Sequence, residues 1–156
     1  MRRTFTAIAT IAILLVFTSS YNSYDVSVDI NSFAPNFEIS RLGNHFKLSE
    51  TRGNYVIVNF WTSDDAEARI RNIHYDRFFK SIGKNLSFIS VNMFKELVRT
   101  DRLSEVSQFY EKDGMESEVY KRYRLKSGMN SYLLDKDGKI LAINPTQQQL
   151  TKYFCQ

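Results

Sequence analysis

Apolar and polar residues alternate in the first readable element of the chain. Phe37 and Ile39 are separated by polar residues, and residues 45–48 alternate in the same way after the turn residues 42–44. This pattern predicts a β-hairpin with one buried face. Residues 55–60 are mostly β-branched or aromatic on both parities, which is typical of a central strand covered on both faces.

A helical period replaces the alternation after Asp64. A core-facing stripe at positions i, i+3, i+4 and i+7 consists of Tyr75, Phe78, Phe79 and Ile82. This spacing predicts an amphipathic helix that ends at Gly83, and a strand follows over residues 86–91. The basic residues of the helix are expected on its solvent side: Arg69, Arg71, Arg77 and Lys80.

Two further helices are predicted before the last hairpin. The first covers residues 102–112, where one helical face collects Leu103, Val106, Phe109 and Tyr110. The second is short and covers residues 116–123.

A hairpin and a helix complete the chain. Strands over residues 131–134 and 140–143 flank a turn-rich link, as in a tight hairpin. The last helix begins at Thr146, which has the capping-box spacing with Gln149. Its inward side chains are expected to be Leu150, Tyr153 and Phe154.

These elements predict an α/β fold. A strand–helix–strand unit needs a right-handed crossover, which makes its two strands parallel, whereas the last two strands must be antiparallel. We expect one domain over residues 33–156, with an N-terminal β-hairpin and a mixed central β-sheet flanked by helices on both faces. A chain of 156 residues holds one core of this kind.

The first twenty residues have the layout of a secretory signal peptide. Arg2 and Arg3 precede an apolar run over residues 7–17, and small hydroxyl residues follow. We expect cleavage after Ser20, a linker or edge strand over residues 21–32, and a periplasmic or extracellular protein. The run is shorter than the roughly 20 residues of a membrane-spanning helix. Retention as an uncleaved membrane anchor is therefore the less favoured alternative.

The composition of the chain limits the partners and cofactors that can be expected. Lys and Arg number 21 against 17 Asp and Glu, and no basic stripe with aromatic residues is present, so nucleic acid is not an expected partner. Cys155 is the single cysteine. It cannot form a disulfide within the chain, and we interpret it as a small apolar residue of the last helix. His45 and His74 have no second His or Cys nearby, so neither a metal nor a cofactor is predicted.

Four segments together resemble the thioredoxin-like superfamily. They are APNF at 34–37, the G-x-x-x-x-L pattern at 43–48, VIVNFW at 56–61, and YRLKSGMNSYLLDKDGKI at 123–140. The similarity covers residues 33–154 and is to exported thiol–disulfide oxidoreductases of the TlpA/ResA type, with AhpC/TSA-type peroxiredoxins as neighbours. It implies a thioredoxin-like fold with its site at the end of the 56–61 strand.

The working residues of that family are missing. The family motif W-x-x-W-C-x-x-C, aligned with this chain, places Asp65 and Ala68 at the two cysteines and Arg69 at the basic position that often follows. Met129 stands at the family's cis-proline. A cis bond before a non-proline residue costs about 2.5–4 kcal/mol, so we expect a trans bond there. The resemblance thus implies the fold without its thiol chemistry.

The acidic residues at the predicted helix start have a structural interpretation. Asp64, Asp65 and Glu67 fall in the first turn, where the helix dipole stabilises carboxylates, and Asp64 with Glu67 is a workable cap pair. Two less favoured alternatives are a cation-binding or anion-excluding patch and a carboxylate in acid–base catalysis.

The favoured function is that of a redox-inactive exported domain that binds a protein or peptide partner. We expect an exposed Trp61 and a backbone free for pairing in the 128–129 loop. The binding residues are predicted to be Trp61, Asp64, Asp65, Glu67, Arg69 and Met129. The alternative is a thiol–disulfide oxidoreductase or peroxiredoxin-related antioxidant protein that works through Cys155 or an intermolecular disulfide. A companion of an active paralogue or membrane complex is a third hypothesis.

Overall fold

The computed structural model describes residues 27–41, 44–83, 85–93, 103 and 105–155. The predicted signal peptide and residues 21–26 of the predicted linker lie outside the described residues. The strands are β1 Glu38–Arg41, β2 Asn44–Lys47, β3 Tyr55–Trp61, β4 Leu86–Asn92, β5 Gln108–Tyr110, β6 Ser131–Leu134 and β7 Ile140–Ile143. The α-helices are α1 Ala66–Ile82, α2 Glu118–Arg122 and α3 Gln147–Phe154. Among the described residues, no helix is long and apolar enough to cross a membrane.

Five strands form one mixed sheet in the order β5-β4-β3-β6-β7. β3 lies at the centre, where its apolar run predicts it, and pairs in parallel with β4 and antiparallel with β6. β5 continues the parallel part, and β7 continues the antiparallel part. β1 and β2 form a separate antiparallel hairpin. The predicted mixed sheet and N-terminal hairpin are confirmed.

Alternate residues of β3 belong to two different apolar clusters, because strand side chains point to opposite faces. Ile57 packs with Tyr75 and Phe78 of α1 and with Leu150 of α3; we call this side of the sheet the helix face. The other side, which we call the hairpin face, carries the larger cluster. The β1–β2 hairpin and α2 cover it, so helices do lie on both faces.

The helix ends follow local sequence signals. α1 ends at Gly83, whose φ of 74° is the positive value that glycine adopts readily. α2 begins after Ser117, whose hydroxyl accepts the Tyr120 N–H, and confirms the predicted short helix. α3 has the predicted capping box of Thr146 and Gln149. Tyr153 of α3 is exposed, contrary to expectation; a tyrosine at the rim of a core keeps its hydroxyl in water.

The predicted helix over residues 102–112 is wrong in its described part. Glu105–Ser107 is a single 3-10 turn, and the next three residues are β5, paired with the end of β4. Val106, expected in the core, is 73% exposed. Phe109 packs on Phe46, with 5.2 Å between ring centroids. Strand pairing and this ring contact outweigh a helical period of only four apolar residues.

Candidate functional site at the start of α1

The junction between β3 and α1 is closed by a side-chain cap. Asp65 has an extended backbone at the N-cap position, and its Oδ1 accepts the Ala68 N–H at 2.9 Å. The first turn of a helix leaves several N–H groups without partners inside the helix, and a carboxylate there also stabilises the helix dipole. Asp65 is therefore a helix-capping residue whose carboxylate is already engaged.

The predicted cap pair of Asp64 and Glu67 is wrong. Asp64 precedes the cap and is exposed, and a hydrogen bond from the Thr62 hydroxyl lowers the pKa of its carboxyl. Glu67 does not turn back to the helix start. Its Oε1 accepts from Arg71 Nη1 at 2.6 Å, one turn further along α1. The N-cap falls one residue later than predicted because the chain stays extended through Asp65.

The carboxylates at this junction are poorly suited to acid–base catalysis. A general base or acid that works near neutral pH needs a carboxyl pKa raised toward that pH, whereas the pKa of Asp64 is lowered. Asp65 holds the cap, and Glu67 pairs with Arg71. Groups of three or more His, Cys, Asp or Glu side chains that could hold a metal ion do not occur among the described residues.

Trp61 lies beneath the surface, so the expectation of an exposed tryptophan is wrong. Its side chain is 3% exposed, and its indole Nε1 has no hydrogen-bond partner in the described part of the chain. It shares the parity of Ile57 and Asn59 in β3, which places it on the helix face. Ala68, on the first turn of α1, is also fully buried. Neither residue offers a side chain to a partner at the surface.

The loop over residues 128–130 runs beside the same junction. Phe60 N–H donates to the Asn130 carbonyl at 3.1 Å, which fixes the loop next to the end of β3. All peptide bonds among the described residues are trans, including the bond before Met129. Met129 is half-buried and packs against the hairpin-face cluster. The junction and the loop are thus neighbours, as the family resemblance implies.

Arg71 joins the loop to α1. Its Nη2 donates to the Met129 carbonyl at 2.5 Å, across 58 residues of sequence. The Arg71 side chain is only 18% exposed, so the prediction that it lies on the solvent side is wrong. The Met129 carbonyl was expected to be free, and it is occupied.

A hydrogen-bonded network lies behind the junction, on the helix face. Asn59 of β3 donates from Nδ2 to Asn72 Oδ1 at 2.9 Å and accepts the Ser131 hydroxyl at 2.6 Å. Ser90 donates to Asn72 Oδ1 at 2.6 Å and lies 2.7 Å from Gln108 Oε1. Asn59, Asn72, Ser90 and Ser131 are fully buried. The network ties β3, β4, β5 and β6 to α1.

Glu111 is a carboxyl at the same edge of the sheet that sequence reasoning missed. It follows β5 directly, and its N–H donates to the Asn92 carbonyl at the end of β4. Partial burial raises the pKa of Glu111, although a backbone hydrogen bond from Asp113 acts against this. β5 is two strands away from β3, about 10 Å at the usual strand spacing. Glu111 is therefore separate from the start of α1.

Cys155 lies at the other end of the sheet. The ring of its neighbour Phe154 packs on Tyr55 at 5.2 Å, and Tyr55 begins β3 whereas Trp61 ends it. Six residue steps of a strand span about 20 Å. Cys155 is exposed and is the C-cap residue just after Phe154, so it lies at the end of the last helix and not, as predicted, within it. It stands far from Asp65 and Met129.

The remaining predicted site residues lie at or near the surface. Arg69 is half-buried in the first turns of α1, and its N–H makes the helical bond to the Asp65 carbonyl at 2.9 Å. His74 is exposed on α1. His45 is exposed on β2, 3.4 Å from a carboxylate oxygen of Glu38. The structure brings together Asp64, Asp65, Glu67 and Arg69 at one helix start and sets Met129 beside them through Arg71.

Arg71, Asn59 and Asn72 are the residues of this region that sequence reasoning missed. Asn59 stands out as the one strongly polar residue in a run of apolar strand residues. Glu67 four residues before Arg71 indicates an ion pair on a helix, but nothing in the sequence shows that the same arginine reaches Met129.

Solved structures of other proteins have an architecture similar to that of this chain. No protein-family model and no curated protein matches the chain. Among solved structures, it is similar to a thioredoxin-like protein from Parabacteroides distasonis, with 29% identity over 83% of this chain and 97% of that one and a TM-score of 0.72.

Two further solved structures agree with this similarity. A thiol-disulfide oxidoreductase from Bacteroides fragilis is 26% identical over 78% of this chain and 96% of its own, with a TM-score of 0.67. The thioredoxin domain of a thiol-disulfide oxidoreductase from Bacteroides vulgatus is 22% identical over 81% and 96% of the two chains, with a TM-score of 0.68. The α/β architecture described above, with its mixed five-stranded sheet and N-terminal hairpin, is a thioredoxin-like fold.

Proposed function

We propose that this chain is an exported, redox-inactive thioredoxin-fold domain of the TlpA/ResA type that binds an extended segment of a protein partner. The binding surface is formed by the start of α1 and the adjacent loop; we call it the α1–loop surface and define it by Asp64, Asp65, Glu67, Arg69, Gly128 and Met129. The observation that carries the proposal is the cap at Asp65. The N–H that would stabilise a thiolate at a helix start is bound to a carboxylate instead.

The single thiol gives no support to redox chemistry at this surface. Thiol–disulfide exchange needs a thiolate that can reach the disulfide of the substrate, and Cys155 follows a ring that packs against the opposite end of β3. The alternative of catalysis through Cys155 or an intermolecular disulfide has no observation in its favour. Replacement of Cys155 by Ser tests it, because the alternative requires loss of activity or of a dimer band on a non-reducing gel.

A peptide strand is the partner chemistry that the fold favours. Exposed sheet edges bind extended peptides by main-chain hydrogen bonds, with side-chain contacts for specificity, and we extend this mode to the backbone of the loop over residues 128–130. The exposed Asp64 and Glu67 give the α1–loop surface an acidic rim, so basic residues in the partner would be attracted to it. Trp61 is buried, so it makes no direct contact with the partner.

Two assays test the proposal. In an insulin-reduction assay with dithiothreitol, the protein should add nothing to the rate of the reductant alone. In a phage-displayed library of random ten-residue peptides, selection should yield peptides whose binding falls at least tenfold in Asp64→Lys. Asp137→Lys is the matched control, because Asp137 is exposed in the β6–β7 turn, at the Tyr55 end of the sheet.

Either of two results contradicts the proposal. Catalytic turnover in the insulin assay would show redox activity. Peptides that bind the two lysine variants equally well would place the contact away from the α1–loop surface, and a library that yields no binder would argue against peptide recognition altogether.

A further inference from the structure

The loop of the α1–loop surface has most of its hydrogen-bond acceptors already occupied. Arg71 Nη2 donates to the Met129 carbonyl at 2.5 Å, and the Phe60 N–H donates to the Asn130 carbonyl at 3.1 Å. The Asn130 side-chain oxygen accepts from Asn144 Nδ2 at 2.8 Å. An extended peptide that pairs with this loop therefore meets a carbonyl at Met129 that another group holds.

Arg71 binds that carbonyl while part of its own hydrogen-bonding capacity is unused. One end of its guanidinium donates to Glu67 and the other donates to Met129, while Nε is buried without an acceptor in the described part of the chain. A buried donor without a partner raises the free energy of the state that contains it. Glu67, which anchors the other end, is 85% exposed. Both features favour release of the arginine into water when something else takes its place.

We propose that Arg71 is a built-in competitor for the partner strand, holding the Met129 carbonyl until the partner displaces it. This inference rests on the proposed function, since Arg71 regulates binding at the same α1–loop surface. Arg71 is a positioning residue here: it sets the fraction of molecules whose loop can pair with a peptide. The apparent affinity of a ligand falls in proportion to that fraction.

The inference predicts that removal of the guanidinium strengthens binding. Arg71→Met keeps an unbranched apolar side chain against the core and frees the Met129 carbonyl. Affinity for the selected peptides should rise about tenfold, since one charge-assisted hydrogen bond no longer competes. Arg77→Met is the matched control, because Arg77 is exposed on the same helix and the charge change is the same.

A second measurement does not depend on any peptide. In the free protein, amide hydrogen exchange at Ser131, whose N–H donates to Asn144 Oδ1 at 2.8 Å, should accelerate in Arg71→Met and stay unchanged in Arg77→Met. Faster exchange shows that Arg71 fixes the loop, whether or not a partner is known.

The outcomes separate the two proposals. Weaker peptide binding by Arg71→Met would overturn the competitor role, because Arg71 would then contact the partner. An unchanged rate of amide hydrogen exchange at Ser131 in Arg71→Met would overturn the competitor role as well. If no peptide binds the wild type or Arg71→Met, the proposed function fails, and the exchange result alone decides whether Arg71 holds the loop.

Discussion

Val58 and Asn59 are neighbours in β3, and they point into two differently built interiors. On the hairpin face, Val58 lies in a cluster with aromatic rings such as Phe60 and Tyr123, whose centroids are 4.6 Å apart. On the helix face, Asn59 joins a network of directed hydrogen bonds. Packing tolerates small shifts of the rings, whereas hydrogen bonds fix distances and angles. The candidate site lies at the Trp61 end of β3, next to the hydrogen-bonded network of Asn59.

The largest expected effect comes from a cavity on the hairpin face. Phe60 is fully buried and contacts the rings of Phe37, Tyr123 and Tyr132. Phe60→Ala should lower the free energy of unfolding by about 3–5 kcal/mol, measured by urea denaturation. Ile70→Ala, at a side chain 54% exposed on α1, is the control and should change little. A loss below about 1 kcal/mol for Phe60→Ala would show that this face is not held by packing.

A somewhat smaller effect is expected from the helix face. Asn59→Leu keeps the side-chain volume and removes the centre of the network, which leaves the buried Ser131 hydroxyl without its acceptor. The free energy of unfolding should fall by about 2 kcal/mol, measured by urea denaturation. Asn54→Leu makes the same chemical change at an exposed residue just before β3 and is the matched control. Equal stability of the two variants would mean that the network contributes nothing to folding.

Alkaline pH should act on the buried tyrosines of the hairpin face. Burial raises the pKa of Tyr123 and Tyr132 above the usual value of 10.0. The unfolded chain then releases these protons first. The contribution of the two tyrosines to the free energy of unfolding is therefore constant below about pH 10 and falls as pH rises from there toward their folded-state pKa values, by at most about 1.4 kcal/mol per pH unit for each tyrosine.

Tyr123→Phe separates this effect from other alkaline titrations. The variant should be less stable at pH 8 by about 1 kcal/mol, because the bond from its hydroxyl to the Pro35 carbonyl is lost. Above pH 10 its stability should fall less steeply than that of the wild type, measured by urea denaturation at closely spaced pH values. Parallel curves would show that Tyr123 ionises as readily in the folded protein as in the unfolded chain.

The smallest effect is expected at the helix cap. Asp65→Ala removes the acceptor of the Ala68 N–H and should cost about 1 kcal/mol of stability. Asp64→Ala, one residue earlier and exposed, should cost less. Thermal unfolding followed by circular dichroism compares the two directly. A larger loss for Asp64→Ala would return the cap to Asp64, where sequence reasoning places it.

Local patterns carried the prediction of the fold. The apolar run of β3, Gly83 after α1 and the Thr146–Gln149 box each depend on neighbours in sequence, and all three are confirmed. β5 could not be predicted in this way. Its strand conformation comes from pairing with β4, and Phe109 finds its partner Phe46 in the hairpin. These contacts span many residues, and a short helical period gives no sign of them.

The candidate site was predicted only in outline. The acidic residues and Met129 are readable from sequence, and the structure sets them side by side. Two features depend on the folded chain alone: the burial of Trp61 and the reach of Arg71 to Met129. The residues three and four positions away from Arg71 along α1 are of mixed polar and apolar character. The helical period therefore does not show whether Arg71 faces water or the loop over residues 128–130. Only the position of the loop decides between them.

The cap at Asp65 bears on how this protein can change over generations. Replacement of Asp65 by cysteine gives up the carboxylate that accepts the Ala68 N–H. Ala68 is fully buried, so a larger side chain at that position would crowd its neighbours. Each single step toward a thiol pair thus passes through a less stable protein before any new activity appears. Gaining a pair of thiols at these two positions therefore carries a cost in folding stability.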